Sequence, residues 1–206
     1  MLVNKCKERV FTITVIGFVR HGVTAWNKEG RAQGSTDVPL DDEGIEMAHG
    51  VAQRLSGEQW DVIYTSPLIR AAKTAEIIAD SMPDIRLLSD NRLREVGGGL
   101  VEGMTEIERV KKWGHSWRKL ELGFEPQEEI ILRGLDFIEE IKELHLDKRI
   151  LVVSHGGFIG RLIKELVPNK DLTVDLENTS VTIIKLQEDR NLCELFNCTK
   201  HLQPIK

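Results

Sequence analysis

The chain has 206 residues, 41% hydrophobic and 30% charged, with a formal net charge of −5. That length suits one domain with a substantial core, and the acidic balance excludes the bulk basic character of a nucleic-acid or anionic-membrane binder. Cys6, Cys193 and Cys198 are too few for a disulfide framework and lack zinc spacing, which points to reduced thiols in a cytoplasmic protein.

Residues 1–9 read as a short tail. Lys5, Lys7 and Arg9 precede an apolar run, but its β-branched residues suit a strand, and no small-residue cleavage site follows. No stretch is long and apolar enough to span a bilayer. The first strand is expected over 11–19. Asp41 and Asp42 mark a helix start, with Ile45, Ala48, Val51, Ala52 and Leu55 on one face. WDVIYT, 60–65, reads as a buried strand. SPLIRAAKTAEIIADSM, 66–82, reads as a helix with Ser66 as N-cap and Pro67 at its first position.

A short strand at IRLLS, 85–89, leads into LREVGGGLVEGMT. Residues 105–122 read as a helical excursion with Ile107, Val110, Trp113 and Trp117 as apolar contacts. A long helix over 127–146 places Ile131, Leu135, Ile138 and Ile141 together. RILVVS, 149–154, is a central strand, and GGFIGRLIKELV, 156–167, its following helix. SVTIIKLQ and LCELFN close the chain as a hairpin around EDRN. The alternation predicts an α/β fold: three layers, α/β/α, with a mainly parallel central sheet and an antiparallel edge strand. Residues 1–206 read as a single domain, with about 96–125 as a small lid insertion.

Ligands of open α/β sheets bind beyond the carboxyl ends of the strands. Three such ends carry similar chemistry: Arg20-His21-Gly22, the helix start with Arg70, and His155-Gly156-Gly157. A cation near a helix start opposes the dipole, a conflict that a bound anion removes. A phosphate monoester meets less repulsion from a neutral nucleophile, and neighbouring cations hold an imidazole neutral. His21 is therefore the expected nucleophile, with Arg20 binding phosphoryl oxygens through its forked donors. The leaving alcohol needs a proton, for which Glu95 is the first candidate, Glu102 a competitor and Asp90 a weaker one.

The motifs RHG followed by Thr24, Trp26 and Asn27, then Gln33-Gly34, TDVPL, TSPLIRAAKTAEII, the LREVGGGLVEGMT run, VVSHGG and LENTSVT cover nearly the whole chain. Together they resemble the histidine phosphatase superfamily, also called the phosphoglycerate mutase-like family. The resemblance implies a phosphohistidine on His21 that water hydrolyses. It implies a phosphate pocket of Arg20, Arg70 and His155, with Asn27 and the Gly156 backbone adding donors. Glu95 would donate the proton, and Gln33 and Gly34 would line the substrate side. The implied partner is a small-molecule phosphate monoester, with no metal or cofactor, no nucleic acid and no membrane. Oligomeric state is not indicated.

Three positions depart from the family pattern. Val23 stands where a glutamate is usual, and Val101 where an aromatic residue is common, which suggests a looser lid. Val96-Gly97-Gly98 replaces the His-Tyr pair of glycolytic mutases. The last departure and the short chain favour a phosphatase of the broad-specificity bacterial type. The alternative is a cofactor-dependent phosphoglycerate mutase, with Lys111, Lys112, Arg118 and Lys119 binding a second anion; a solvated helix face is the preferred reading of those four. A second alternative is a phosphate-binding regulatory protein with an impaired site. His49, His115, His145 and His201 read as surface or half-buried residues. Trp113 and Trp117 read as anchors of the excursion, or alternatively as walls of the substrate cleft.

Overall fold

Successive side chains of the central strands enter different cores, which is why helices cover both sides of the sheet. The computed structural model describes residues 13–168, 175–187 and 189–202. In chain order the elements are β1 (Thr14–Arg20), α1 (Ala25–Lys28), α2 (Asp42–Leu55), β2 (Val62–Thr65), α3 (Ile69–Asp80), β3 (Arg86–Ser89), α4 (Glu106–Trp113), α5 (Gln127–Leu144), β4 (Arg149–Ser154), α6 (Gly156–Leu166), β5 (Val181–Leu186) and β6 (Leu192–Cys198). Ile16 and Phe18 of β1 and Ile150 and Val152 of β4 pack with Phe137 and Ile141 of α5 and Phe158 and Leu162 of α6. Val19, Leu151 and Val153 join Ala48, Val51 and Leu55 of α2 and Ala75 and Ile78 of α3 on the other side.

The sheet order is β3-β2-β4-β1-β5-β6. The ladders from β3 to β1 are parallel, and β5 runs antiparallel to both neighbours. The predicted three-layer arrangement with an antiparallel edge is therefore what the chain forms. Arg20 pairs with Ser154 in register, so the chain leaves β1 and β4 side by side. Thr65 of β2 pairs with Val153, which brings Ser66 to the same rim.

Several boundaries and faces differ from expectation. β1 runs through Arg20, while the predicted tail at 1–9 and residues 11 and 12 fall outside the described residues. β2 begins at Val62; Trp60 precedes it, with the Arg149 guanidinium 4.6 Å from its ring centre. α3 begins at Ile69 after an extended Leu68, so Ser66 is not its N-cap. The cap comes from a distance: Asp37 Oδ1 accepts the Ile69 N–H at 2.6 Å. The 105–122 excursion is α-helical only to Trp113, because Gly114 takes φ 77 and ends α4, and a single 3-10 turn follows at Trp117–Lys119. Ile107 is 80% exposed rather than packed. The excursion has a small core of its own, Val101, Trp117 and Leu122, with Ala32, Val110 and Trp113 against it.

Candidate active site

Residues just past β1, β2 and β4, with two from α3 and the 90–97 loop, meet at one rim of the sheet. His21 and His155 are buried, and their ring centroids lie 5.2 Å apart. His21 Nδ1 is 2.7 Å from Gly22 O. A carbonyl can only accept, so Nδ1 carries the proton and Nε2 keeps its lone pair. Burial, then the charges of Arg70 and Arg20, press the pKa of His21 well below its ordinary value. His155 is lowered in the same way by burial, then by His21, Arg70 and Arg20. Both rings are thus neutral at pH 7.

The arginines are held by backbone oxygens rather than carboxylates. Arg70 is fully buried; its Nη1 donates to Thr36 O and its Nη2 to Gly34 O, each at 2.8 Å. Arg20 Nη1 donates to Leu176 O. Among the described residues, four buried side-chain nitrogens lack a hydrogen-bond partner: Arg20 Nε, Arg70 Nε, His155 Nδ1 and Trp60 Nε1. Three of the four belong to this cluster. An unpaired buried donor is expensive, and three at one rim form a receptor for a multiply accepting anion. His155 supports this: its Nε2 is 2.7 Å from Ser66 Oγ, which accepts the Leu68 N–H. The Ser66 hydroxyl hydrogen is then free to go to Nε2, leaving Nδ1 as the donor.

Glu95 meets the cluster from the 90–97 loop. Its Oε1 accepts the N–H groups of Val96 and Phe158, both at 2.9 Å, and its Oε2 accepts Gly157 N–H at 3.2 Å. The carboxylate thus caps α6, whose own N-cap residue, His155, makes no side-chain cap bond. A Cβ at Gly157 would lie 2.8 Å from Glu95 Oε1, so only glycine admits this approach. Arg92 and Arg94 pair elsewhere, with Asp90, Asp136, Glu140 and Glu125, and do not neutralise Glu95.

The competing acids have other work. Glu102 accepts from the Ser35, Thr36 and Gly98 N–H groups and the Thr36 hydroxyl. Burial alone would raise its pKa, but these bonds bring it below the usual range, so it holds no proton to give. It clamps the loop whose carbonyls hold Arg70. Gly34, at φ 51, is where that clamp passes: a Cβ there would run into Glu102 Oε1. Asp90 is also lowered, against burial, by Arg92.

The other expected site residues take defined positions. Asn27 Oδ1 accepts from Thr24 N and Oγ1 in a capping box at α1. Gln33 Oε1 accepts from the Thr24 hydroxyl at 3.1 Å. Gly34 serves through its carbonyl on Arg70. A Cβ at Gly156 would lie 3.1 Å from Arg20 Nε, so this glycine lets the start of α6 approach the Arg20 guanidinium closely. Sequence reasoning missed the residues that brace the site. Asn178 Nδ2 donates to His21 O at 2.9 Å, and Thr179 N–H reaches Arg20 O at 3.0 Å. Thr179 has φ 55, a strained value for a β-branched residue. Arg133 holds the Arg94 carbonyl at 2.9 Å and Glu125 at 2.8 Å. Only Asn178 and Thr179, within LENTSVT, stood in a quoted motif.

A family model described as Histidine phosphatase superfamily (branch 1) matches residues 16–199. The chain belongs to this superfamily. Relatives span most of its length. It is 33% identical over 196 residues to phosphoglycerate mutase-like protein 4 of Arabidopsis thaliana, covering 90% of this chain and 85% of that one. It is 32% identical over 195 residues to phosphoserine phosphatase 1 of Hydrogenobacter thermophilus, covering 89% and 92%. Among solved structures, a mycobacterial glucosyl-3-phosphoglycerate phosphatase in complex with VO3 superposes with a TM-score of 0.81 at 25% identity, covering 89% of this chain and 99% of that one.

Of the three departures, the position of Val101 is defined, as are the tryptophans, cations and histidines outside the cluster. Val101 is 3% exposed, in the small core with Trp117 and Leu122. Trp117 lies inside that core, its Nε1 donating to Glu106 Oε1 at 3.0 Å, and is no cleft wall. Lys112 lies over Trp113, and Arg118 over Trp117 and against Glu106, as on a solvated face. His145 and His201 have partners, Tyr64 and Thr179. Among the described residues, no helix is long and apolar enough to cross a membrane.

Proposed function

We propose that the protein hydrolyses phosphate monoesters through a phosphohistidine on His21. The His21 Nδ1–Gly22 O bond carries the reading, because it leaves Nε2 unprotonated in a ring that the charges of Arg70 and Arg20 help to keep neutral. Arg20, Arg70 and His155 hold the phosphoryl oxygens, joined by Asn27 and the Gly156 N–H at the start of α6. Gln33 and Gly34 lie on the substrate side.

Nε2 attacks phosphorus, the ester P–O bond breaks, and Glu95 delivers its proton to the departing alkoxide. Glu95, now ionised, takes a proton from water as that water attacks the phosphohistidine. The N–P bond breaks, phosphate is released, and neutral His21 with protonated Glu95 is restored. No step calls on a metal or cofactor.

Relatives named for phosphoserine and glucosyl-3-phosphoglycerate support a small phosphomonoester as substrate. The mutase alternative gains nothing from Lys111, Lys112, Arg118 and Lys119, which are exposed. Rapid acid quench with a 32P-labelled ester tests the proposal. The wild type should give an acid-labile, base-stable phosphoenzyme, and His21→Ala should give none and turn over no ester. Full activity in His21→Ala would sink it.

A further inference from the structure

The 175–179 loop holds both the side chain of Arg20 and the backbone of the nucleophile. Leu176 O accepts from Arg20 Nη1, and Asn178 Nδ2 donates to His21 O at 2.9 Å. The Thr179 N–H reaches Arg20 O at 3.0 Å and His21 O at 3.3 Å. Residues 197–201 in turn grip this loop at both ends. Asn197 Oδ1 accepts the Glu177 N–H at 2.8 Å, and its Nδ2 donates to Asp175 O at 3.2 Å. His201, in a 3-10 turn at Lys200–Leu202, has Nε2 3.0 Å from Thr179 Oγ1.

The hydrogens along this chain of bonds have one consistent direction. Arg54 Nη1, on α2, donates to Cys198 O at 3.2 Å and lies 3.4 Å from His201 Nδ1. A guanidinium only donates, so Nδ1 accepts and Nε2 carries the ring hydrogen. Nε2–H then donates to Thr179 Oγ1, and the Thr179 hydroxyl donates to Asn178 O at 2.8 Å. Burial and then Arg54 hold the His201 pKa at about 4, so the neutral ring keeps this pattern at pH 7. The bond falls on a residue that needs support. Thr179 has φ 55, which a β-branched residue keeps only where its surroundings enforce it.

We infer that His201 is a positioning residue for the nucleophile: its Nε2–H holds Thr179 in the left-handed conformation, and Thr179 so fixes the Arg20–His21 backbone. His201 touches neither substrate nor reacting atoms. The inference rests on the hydrolytic reading above and adds a residue to it. Arg70 on α3 and His155 just past β4 stand outside this chain of bonds. Loss of the bond therefore disturbs attack more than anion binding.

Two variants separate the hydrogen bond from packing. His201→Phe keeps a ring and removes the donor, whereas His201→Gln restores a side-chain N–H. At saturating p-nitrophenyl phosphate, first-turnover release of p-nitrophenol should slow about tenfold or more in His201→Phe, since small misplacements of reacting groups are costly. The calorimetric Kd for inorganic phosphate should change far less, and His201→Gln should recover most of the rate. A wild-type rate in His201→Phe overturns the inference, and so does a Gln variant no faster than the Phe variant. Amide exchange followed by NMR decides the matter without turnover. The Thr179 N–H should exchange about tenfold faster in His201→Phe, with Val152 of β4 unchanged, as for a local opening. An equally protected Thr179 N–H refutes the proposal. If the wild type cleaves no ester while the exchange difference is present, the hydrolytic reading fails and the hold of His201 on Thr179 is upheld.

Discussion

His21 and His155 stand with ring centroids 5.2 Å apart and planes tilted by 58°, both with almost no solvent exposure. Two imidazolium charges there, with Arg20 and Arg70 beside them, would repel, and both rings stay neutral well below the ordinary pKa of 6.5. His201, lowered by burial and then by Arg54, titrates at about 4. In the unfolded chain all three take up protons near pH 6.5, whereas in the folded chain they do not. The unfolded state thus binds more protons below pH 6.5, and stability falls as pH falls. Each fully buried ring that stays neutral at pH 5 costs about 2 kcal/mol relative to pH 7. Calorimetric Tm in a non-binding buffer should drop by roughly 5 °C or more between pH 7 and pH 5, before the lowered carboxylates begin to titrate. A flat Tm over that interval contradicts the assignment.

Inorganic phosphate should stabilise the protein, because Arg20 Nε, Arg70 Nε and His155 Nδ1 gain an acceptor. At a hundred times its Kd, phosphate adds about 2.7 kcal/mol, a shift of roughly 5–10 °C for a chain of this size. Vanadate should act similarly at lower concentration. Arg20→Ala should lose most of the shift, and scanning fluorimetry reads both proteins. An unmoved Tm in the wild type at saturating phosphate and vanadate would argue against an anion site.

Glu95 both caps α6 and lies at the pocket, so its two possible roles need separating. Glu95→Gln keeps the shape and removes the proton. If Glu95 serves the leaving group, kcat/KM for glycerol 3-phosphate should fall about 10²–10⁴-fold. The fall for p-nitrophenyl phosphate, whose alcohol leaves without help, should be far smaller. Equal losses on the two esters would reduce Glu95 to the cap of a helix.

Trp117 fills the small core of the 96–125 segment, with Val101 and Leu122. Trp→Ala in a core costs about 3–5 kcal/mol, and here the loss should fall on that segment first. Limited proteolysis of Trp117→Ala should cut within 96–125 at least tenfold faster than in the wild type. Cleavage at the wild-type rate would show that the segment is held by other contacts.

The sheet, its helices and four polar residues at strand ends were legible because each rests on local signals. Alternation within RILVVS and the helical spacing after Asp41 report burial directly, and strand ends carry the ligand by topology. Residues whose role depends on a distant partner were not legible. Ser66 looked like a cap because serine is favoured at the N-cap and proline at the first helical position; its hydroxyl instead meets His155, 89 positions away. Glu102 looked like an acid until Ser35 and Thr36 were placed against it. Ile107 fitted a helical stripe, but α4 is too short to present a full buried face, and its side chain is left in solvent.

The position of β1 in the sheet has a consequence for biosynthesis. Its ladder partners are β4 and β5, which begin at residues 149 and 181. During translation the apolar stretch TVIGFV must therefore wait, with both edges unpaired, until most of the polypeptide has left the ribosome. Such late closure is slow and leaves a sticky strand exposed meanwhile. Nascent chains arrested short of β4 should thus bind holdase chaperones through that stretch, and release should coincide with the emergence of β4 and β5.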